Sequence, residues 1–250
     1  MFGRIVISRD VYIEANDDGE FLSVNCYSSY DGFTLLGDYV QKFHLRDLSQ
    51  LPLDASTVVH GNIGTVRTAL RRIGVTPPEI INLPSELESF AGRDLWETTL
   101  GEIRKLENLP VFIKPLREGK TFTGHVVYTF CDLLETAALA DDYAILAQGV
   151  LHFGSEWRVF VLKGEVLGIG NYKGNPLIFP DAKRIEAIIA AYENPIVAHS
   201  VDVGIDELGE TYLIEMNDAY ALGHYGLPSV AYASMIKARW DEMCATSTRC

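Results

Sequence analysis

The stretch from Ser200 to Asn217, Ser-Val-Asp-Val-Gly-Ile-Asp-Glu-Leu-Gly-Glu-Thr-Tyr-Leu-Ile-Glu-Met-Asn, constrains this chain more than any other. Alternating flanks and turn residues at its centre predict two short strands joined at Leu208-Gly209. With that pair central, Asp202 falls opposite Glu215 and Ser200 opposite Asn217. Strict alternation then puts Val201, Val203, Ile205, Tyr212, Ile214 and Met216 on a core face, and Ser200, Asp202, Gly204, Leu213, Glu215 and Asn217 on the opposite face. Two carboxylates directly opposite each other repel. A divalent cation between them removes that penalty, and hard oxygen ligands suit Mg²⁺ completed by water and phosphate oxygens. On this stretch alone, a metal site and an ordinary solvated hairpin face are equally good readings.

The rest of the chain bounds the choice. Its 250 residues are 48% hydrophobic and carry a net charge of −13, enough apolar material for one large or two modest domains. That balance argues against a general nucleic-acid coat or an anionic membrane surface. Cys26, Cys131, Cys244 and Cys250 form no CxxC and share no zinc-type spacing with histidine, so a reducing, cytoplasmic setting without structural disulfides is expected. No apolar run reaches the length of a membrane span, and the N-terminal apolar run is too short for a signal peptide.

In order, Arg4 to Ser8 reads as a first strand and residues 21 to 40 give no clear pattern. Val58 to Gly61 reads as a strand, followed by a turn and a helix with Val66, Ala69, Leu70 and Ile73 on one face, ended by Gly74. The turn at Gly61 to Thr65 precedes a helix N-terminus, where either an anion site or a purely structural turn is possible. Residues 94 to 107 read as an amphipathic helix through Leu95, Ile103 and Leu106. Val111 to Pro115 is a strand ending in Lys114, followed by a glycine-bearing basic loop through Gly119, Lys120 and Gly124. His125 to Thr129 is a strand, Asp132 caps a helix to about Asp141, and Ala144 to Gln148 is a buried strand. A hairpin around Lys163-Gly164 pairs Glu156 with Asn171 and Arg158 with Ile169. Asp181 begins a helix, Asp218 to Pro228 is a loop, and residues 229 to 244 form a closing helix that is either core or interface.

A strand-end lysine, a glycine loop, a strand ending in Gln148-Gly149-Val150, a Glu156-x-Arg158 strand and a final Asp202…Glu215-x-Asn217 hairpin, in this order, resemble the ATP-grasp superfamily over roughly residues 94 to 240. The resemblance implies an α/β (α+β) fold in which two α+β subdomains, 94–152 and 153–250, clasp ATP. Residues 1–93 resemble the small α/β domain that commonly precedes such a core. It also implies roles. Lys114 and Lys120 contact nucleotide phosphates, Gln148 and the Val150 backbone lie beside adenine, and Glu156 lines the nucleotide cleft. Asp202, Glu215 and Asn217 hold Mg²⁺, and Arg158 meets phosphate or intermediate. Typical members carry an arginine near the metal residues. None stands there in this chain, but Lys173 is close by, which resembles the branch in which that arginine has become lysine.

The activity so implied is ATP- and Mg²⁺-dependent joining of a carboxylate to an amine through an acyl-phosphate. The substrates would be small molecules or peptides, with no nucleic acid or membrane partner; a homodimer is one open assembly. Such chemistry needs positioned cations rather than a protein nucleophile. Asp218 and His224 are candidates for the base that takes the amine proton. A nucleotide-binding protein without turnover and a phosphotransferase are the competing readings.

Overall fold

The computed structural model describes residues 8–117 and 121–247. The N-terminal part is a parallel three-stranded sheet in the order β2-β1-β3, from β1 (Asp10–Ala15), β2 (Tyr39–His44) and β3 (Val58–His60). The expected strand at Arg4 to Ser8 falls on residues 1–7, outside the described residues, apart from Ser8, which lies outside any strand. The patternless residues hold a helix, α1 (Val24–Leu35), because Ser23 accepts the Cys26 N–H as its N-cap. Helix α2 (Ile63–Arg72) stands where its apolar face predicts, with Gly74 at positive φ beyond its end.

A second sheet is antiparallel, in the order β4-β7-β5-β6: β4 (Leu95–Thr99), β5 (Val111–Pro115), β6 (His125–Val127) and β7 (Ala144–Gln148). Two expectations fail here. Residues 94–107 are not one helix, because Leu95 to Thr99 pair with β7 and only α3 (Leu100–Arg104) is helical. The threonines and Trp96 in that segment suit a pleated edge better than a helix. Residues 130–136 form 3₁₀ turns rather than an α-helix to Asp141. Thr129 is the cap, and the Asp132 carboxylate reaches back to the Thr129 and Tyr128 N–H groups at 2.8 and 3.0 Å.

The third sheet carries the long strands in the order β11-β10-β8-β9: β8 (Ser155–Leu162), β9 (Glu165–Gly174), β10 (Ala198–Ile205) and β11 (Thr211–Asp218). One face packs on α4 (Ala182–Ala191), capped by Asp181, and on the 3₁₀ segment at Ser85–Phe90, through Leu87, Trp157, Val159, Ile188, Val201 and Val203. The final helix α5 (Ser229–Ser247) packs against α1, where Gly32 leaves no room for a Cβ beside the Ser229 carbonyl. Tyr232, Ile236 and Trp240 on α5 are fully buried, so this face of the helix is core rather than interface.

Two register shifts shape the third sheet. Asp202 pairs with Glu215 and Ser200 with Asn217, as alternation predicts, but Val203 pairs with Leu213, leaving Ile214 as an extra residue. Leu213 therefore joins the core, whereas Tyr212 and Ile214 are only half-buried, the reverse of the expected faces. On β9 the shifts pair Arg158 with Gly170 and Glu156 with Lys173, rather than with Ile169 and Asn171, and Tyr172 is the extra residue. Asn171 turns to the other side, bonding Ser155 Oγ and the Glu156 and Lys173 carbonyls.

Candidate functional site

Pairing across β11-β10-β8 lines up Glu215, Asp202 and Arg158 in one row: two carboxylates, then a guanidinium. Asp202 is 2% exposed and accepts two bonds from Arg158, at 2.8 Å from Nε and 2.6 Å from Nη2. Bidentate pairing of this kind fixes both side chains. Burial, together with Glu215 opposite, raises the Asp202 carboxyl to about 6 against the pull of Arg158. Burial also raises Glu215, but Lys114, Asn217 and Arg158 outweigh it and leave this carboxyl below its usual range. Lys114, at the end of β5 in the other antiparallel sheet, donates to Glu215 Oε2 at 3.1 Å. Lys173 donates to Glu156 Oε1 at 2.5 Å across the bulge, while most of its length (68%) remains exposed. Glu156 and Arg158 thus each have a cross-strand partner and do not pair with each other.

Between the two antiparallel sheets lies a cavity of about 700 Å³, lined by Lys114, Gln148, Gly149, Val150, Glu156, Lys173 and Glu215. Phe112, Val126, Leu151 and Ile214 add apolar walls, and Tyr172 adds a ring from its bulge. Six of the expected site residues therefore meet in one space: Lys114, Gln148, Val150, Glu156, Lys173 and Glu215. Arg158, Asp202 and Asn217 adjoin it through hydrogen bonds and ion pairs. Lys120 and Gly119 lie outside the described residues. Gly124 is needed at the cavity edge, because a Cβ there would press on the Phe112 ring and Lys114.

The metal expectation is tested by the donor set. Asn217 Nδ2 lies 3.3 Å from Asp202 Oδ2 and 3.1 Å from Glu215 Oε1, so two carboxylates and one amide converge on a single point. The raised Asp202 carboxyl marks that point as one where added positive charge is stabilising. Among the described residues no group of three or more His, Cys, Asp or Glu gathers anywhere. Two carboxylates and an amide suit Mg²⁺, which keeps water and phosphate ligands, better than ions that need a full protein cage. The residues fit Mg²⁺.

Other residues escaped sequence reading. Tyr225, with φ of 35°, lies over Arg158 with 5.0 Å from guanidinium carbon to ring centre, and its ring is 5.3 Å from that of Tyr172. Gly168 and Gly170 let this loop cross β9: a Cβ at Gly170 would overlap the Tyr225 carbonyl oxygen. Arg93 is buried against Gln148 and β11. No pattern in the sequence marks either contact, because both depend on chain segments meeting across the fold. Of the two candidate bases, Asp218 is committed elsewhere, with both oxygens 2.7 Å from Arg239. The His224 Nδ1 accepts the Gly226 N–H at 3.1 Å. The turn at Gly61 does hold an anion, but an internal one: Glu14 Oε2 accepts the Asn62 N–H at 2.7 Å, at the start of α2.

Residues 90–235 match the family described as ATP-grasp domain, R-to-K clade family 2. Among solved structures, the chain is similar to D-alanine–D-alanine ligase from Bacillus anthracis complexed with ATP, at 18% identity and TM-score 0.54, covering 96% of each chain. It is similar to a RimK domain ATP-grasp protein from Sphaerobacter thermophilus, at 16% identity and TM-score 0.55, covering 92% of this chain and 98% of that one. It is similar to N5-carboxyaminoimidazole synthetase from Staphylococcus aureus, at 13% identity and TM-score 0.58, covering 93% and 77%. At these identities the likeness establishes the fold. No curated protein matches the sequence. Among the described residues no helix is long and apolar enough to cross a membrane.

Proposed function

The chain belongs to the ATP-grasp domain family of the R-to-K clade, family 2, and from that membership we propose that it is an ATP- and Mg²⁺-dependent ligase joining a carboxylate to an amine. One observation carries the reading. Around a single cavity, three carboxylates are each neutralised by a cation: Asp202 by Arg158, Glu215 by Lys114 and Glu156 by Lys173. Such a site is balanced without ligand and is ready to exchange partners when a triphosphate and a divalent ion arrive together.

In this reading the carboxylates of Asp202 and Glu215, with Asn217, hold Mg²⁺, which supplies charge neutralisation to the phosphates. Lys114, Arg158 and Lys173 turn to phosphate oxygens and keep the terminal phosphoryl group oriented. Gln148 and the Gly149–Val150 backbone border the base, and the loop through Lys120 and Gly124 covers the phosphates. A substrate carboxylate oxygen attacks the terminal phosphorus and ADP leaves. The amine then attacks the acyl carbon, phosphate leaves, and the amine gives up one proton. The cations that held the phosphoryl group also stabilise the oxyanion of that second step, a contribution of about 3 to 4 kcal/mol for a well-placed donor. Lys173 takes the place of the arginine seen in typical members, with a point charge in place of a planar fork. Residues 1–93 serve as the domain preceding the ATP-grasp core, and the substrates are small molecules or peptides.

Product analysis tests the proposal. With ATP, Mg²⁺ and an amino-acid or peptide mixture, ADP and phosphate are expected only when both an acid and an amine are present. A phosphorylated product would establish a phosphotransferase instead, and stabilisation by ATP without consumption would establish a binding protein.

A further inference from the structure

Arg93 has no part in the chemistry above, yet it is buried where the two antiparallel sheets meet. Its Nε donates to Gln148 Oε1 at 2.9 Å. Its Nη1 donates to the carbonyls of Ala91 and Leu213 at 2.9 and 2.8 Å, and its Nη2 to that of Ile214 at 3.0 Å. One guanidinium therefore holds the last residue of β7 and the bulge beside Glu215 at once. The preceding Gly92, at φ of 64°, sits against the Tyr212 ring where no side chain fits, which clamps the segment to β11.

A guanidinium only donates, so the Gln148 amide must turn its oxygen toward Arg93. Its Nε2 has no protein acceptor among the described residues. Gln148 is 5% exposed and lines the cavity directly before Gly149 and Val150, between the apolar walls and away from the Lys114–Glu215 end. A nearly buried amide N–H without a partner calls for an acceptor on the ligand. The adenine amino group is itself a donor and cannot fill that place, whereas ring nitrogen N7 can. We propose that Arg93 is a positioning residue for base recognition: it fixes Gln148 as a hydrogen-bond donor to N7 of the purine. The inference rests on the nucleotide reading of the cavity and adds to it the residue that sets the polarity of one contact.

Calorimetric titration with ATP and with 7-deaza-ATP, in which N7 is replaced by CH, tests it. The wild-type chain is expected to bind 7-deaza-ATP about tenfold more weakly, the effect of one hydrogen bond. In Gln148→Glu, which keeps an acceptor for Arg93 but has no donor, and in Arg93→Met, the ratio is expected to fall to about one. A purely structural strut would weaken both nucleotides equally in Arg93→Met and preserve the ratio, which would overturn the proposal. If Arg93→Met fails to fold, the wild-type ratio and Gln148→Glu still decide. Tight binding of ATP by the wild type with no dependence on N7 would overturn this inference alone. No binding of ATP at all would overturn the nucleotide reading, and this inference with it.

Discussion

Replacing Lys114 with methionine separates a nucleotide role from a structural one, because the two predict effects of different size. In the ligand-free chain Lys114 bonds Glu215 at 3.1 Å, with side chains 16% and 34% exposed. A partly screened pair of this kind contributes about 1 kcal/mol or less. For 250 residues that shifts the thermal midpoint by only about 2 °C, since the unfolding entropy scales with chain length. If Lys114 instead turns to a phosphate oxygen, the lost charge-assisted bond is worth about 1.5 to 3 kcal/mol. ATP affinity should then fall about 10- to 100-fold. Adenosine, which has no phosphate, should bind as before. Calorimetry with both ligands, alongside a thermal scan, reads all three quantities. Equal losses for ATP and adenosine, or unchanged ATP affinity, would refute the reasoning.

Three further outcomes are expected. Glu215→Gln should abolish Mg²⁺-dependent ATP turnover, as should EDTA on the wild type, while the thermal midpoint stays within about 2 °C; retained turnover in the variant would remove Glu215 from the metal site. His60 is buried, with Nδ1 unpartnered and its charged form disfavoured, which lowers its pKa to about 4. Because the unfolded chain binds this proton first, the contribution is complete above about 6.5 and is lost as pH falls toward 4, a change of about 3 kcal/mol. His60→Leu should flatten that part of the urea-stability curve, and an unchanged slope would contradict the assignment. Gly170→Ala should cost about 1 to 3 kcal/mol, because the methyl group overlaps the Tyr225 backbone; a wild-type denaturant midpoint would show that this loop yields freely.

The elements that alternation and capping specify locally were legible in the sequence. The Asp202–Glu215 pairing, α2 and its glycine stop, the Asp181 cap and the strand at Ala144 to Gln148 all stand where residue pattern places them. Misreadings fell where tertiary pairing overrides a local pattern. Leu95, Ile103 and Leu106 mimic a helical stripe, but pairing with β7 makes the first part of that segment a strand. Alternation cannot reveal an extra residue in a strand, so Leu213 and Ile214 exchanged faces and Asn171 left the face it was given. The residues brought to the cavity by sequence order were found because their order is that of a family. Arg93 and Tyr225 were not found, because their partners lie 55 and 67 residues away along the chain, at Gln148 and Arg158, and nothing local marks them.

The unpaired positions in β9 and β11 have a joint consequence. Each adds a side chain to the cavity wall, Tyr172 from one strand and Ile214 from the other. Shortening β9 by Tyr172 would restore an even ladder and carry Lys173 one step out of line with Glu156. The same cut in β11 would move Leu213 into the cavity and empty its seat beneath the sheet. The width of the chamber is therefore set by how many residues each strand contains, and a single-codon deletion here would redraw it more than a change of side chain could.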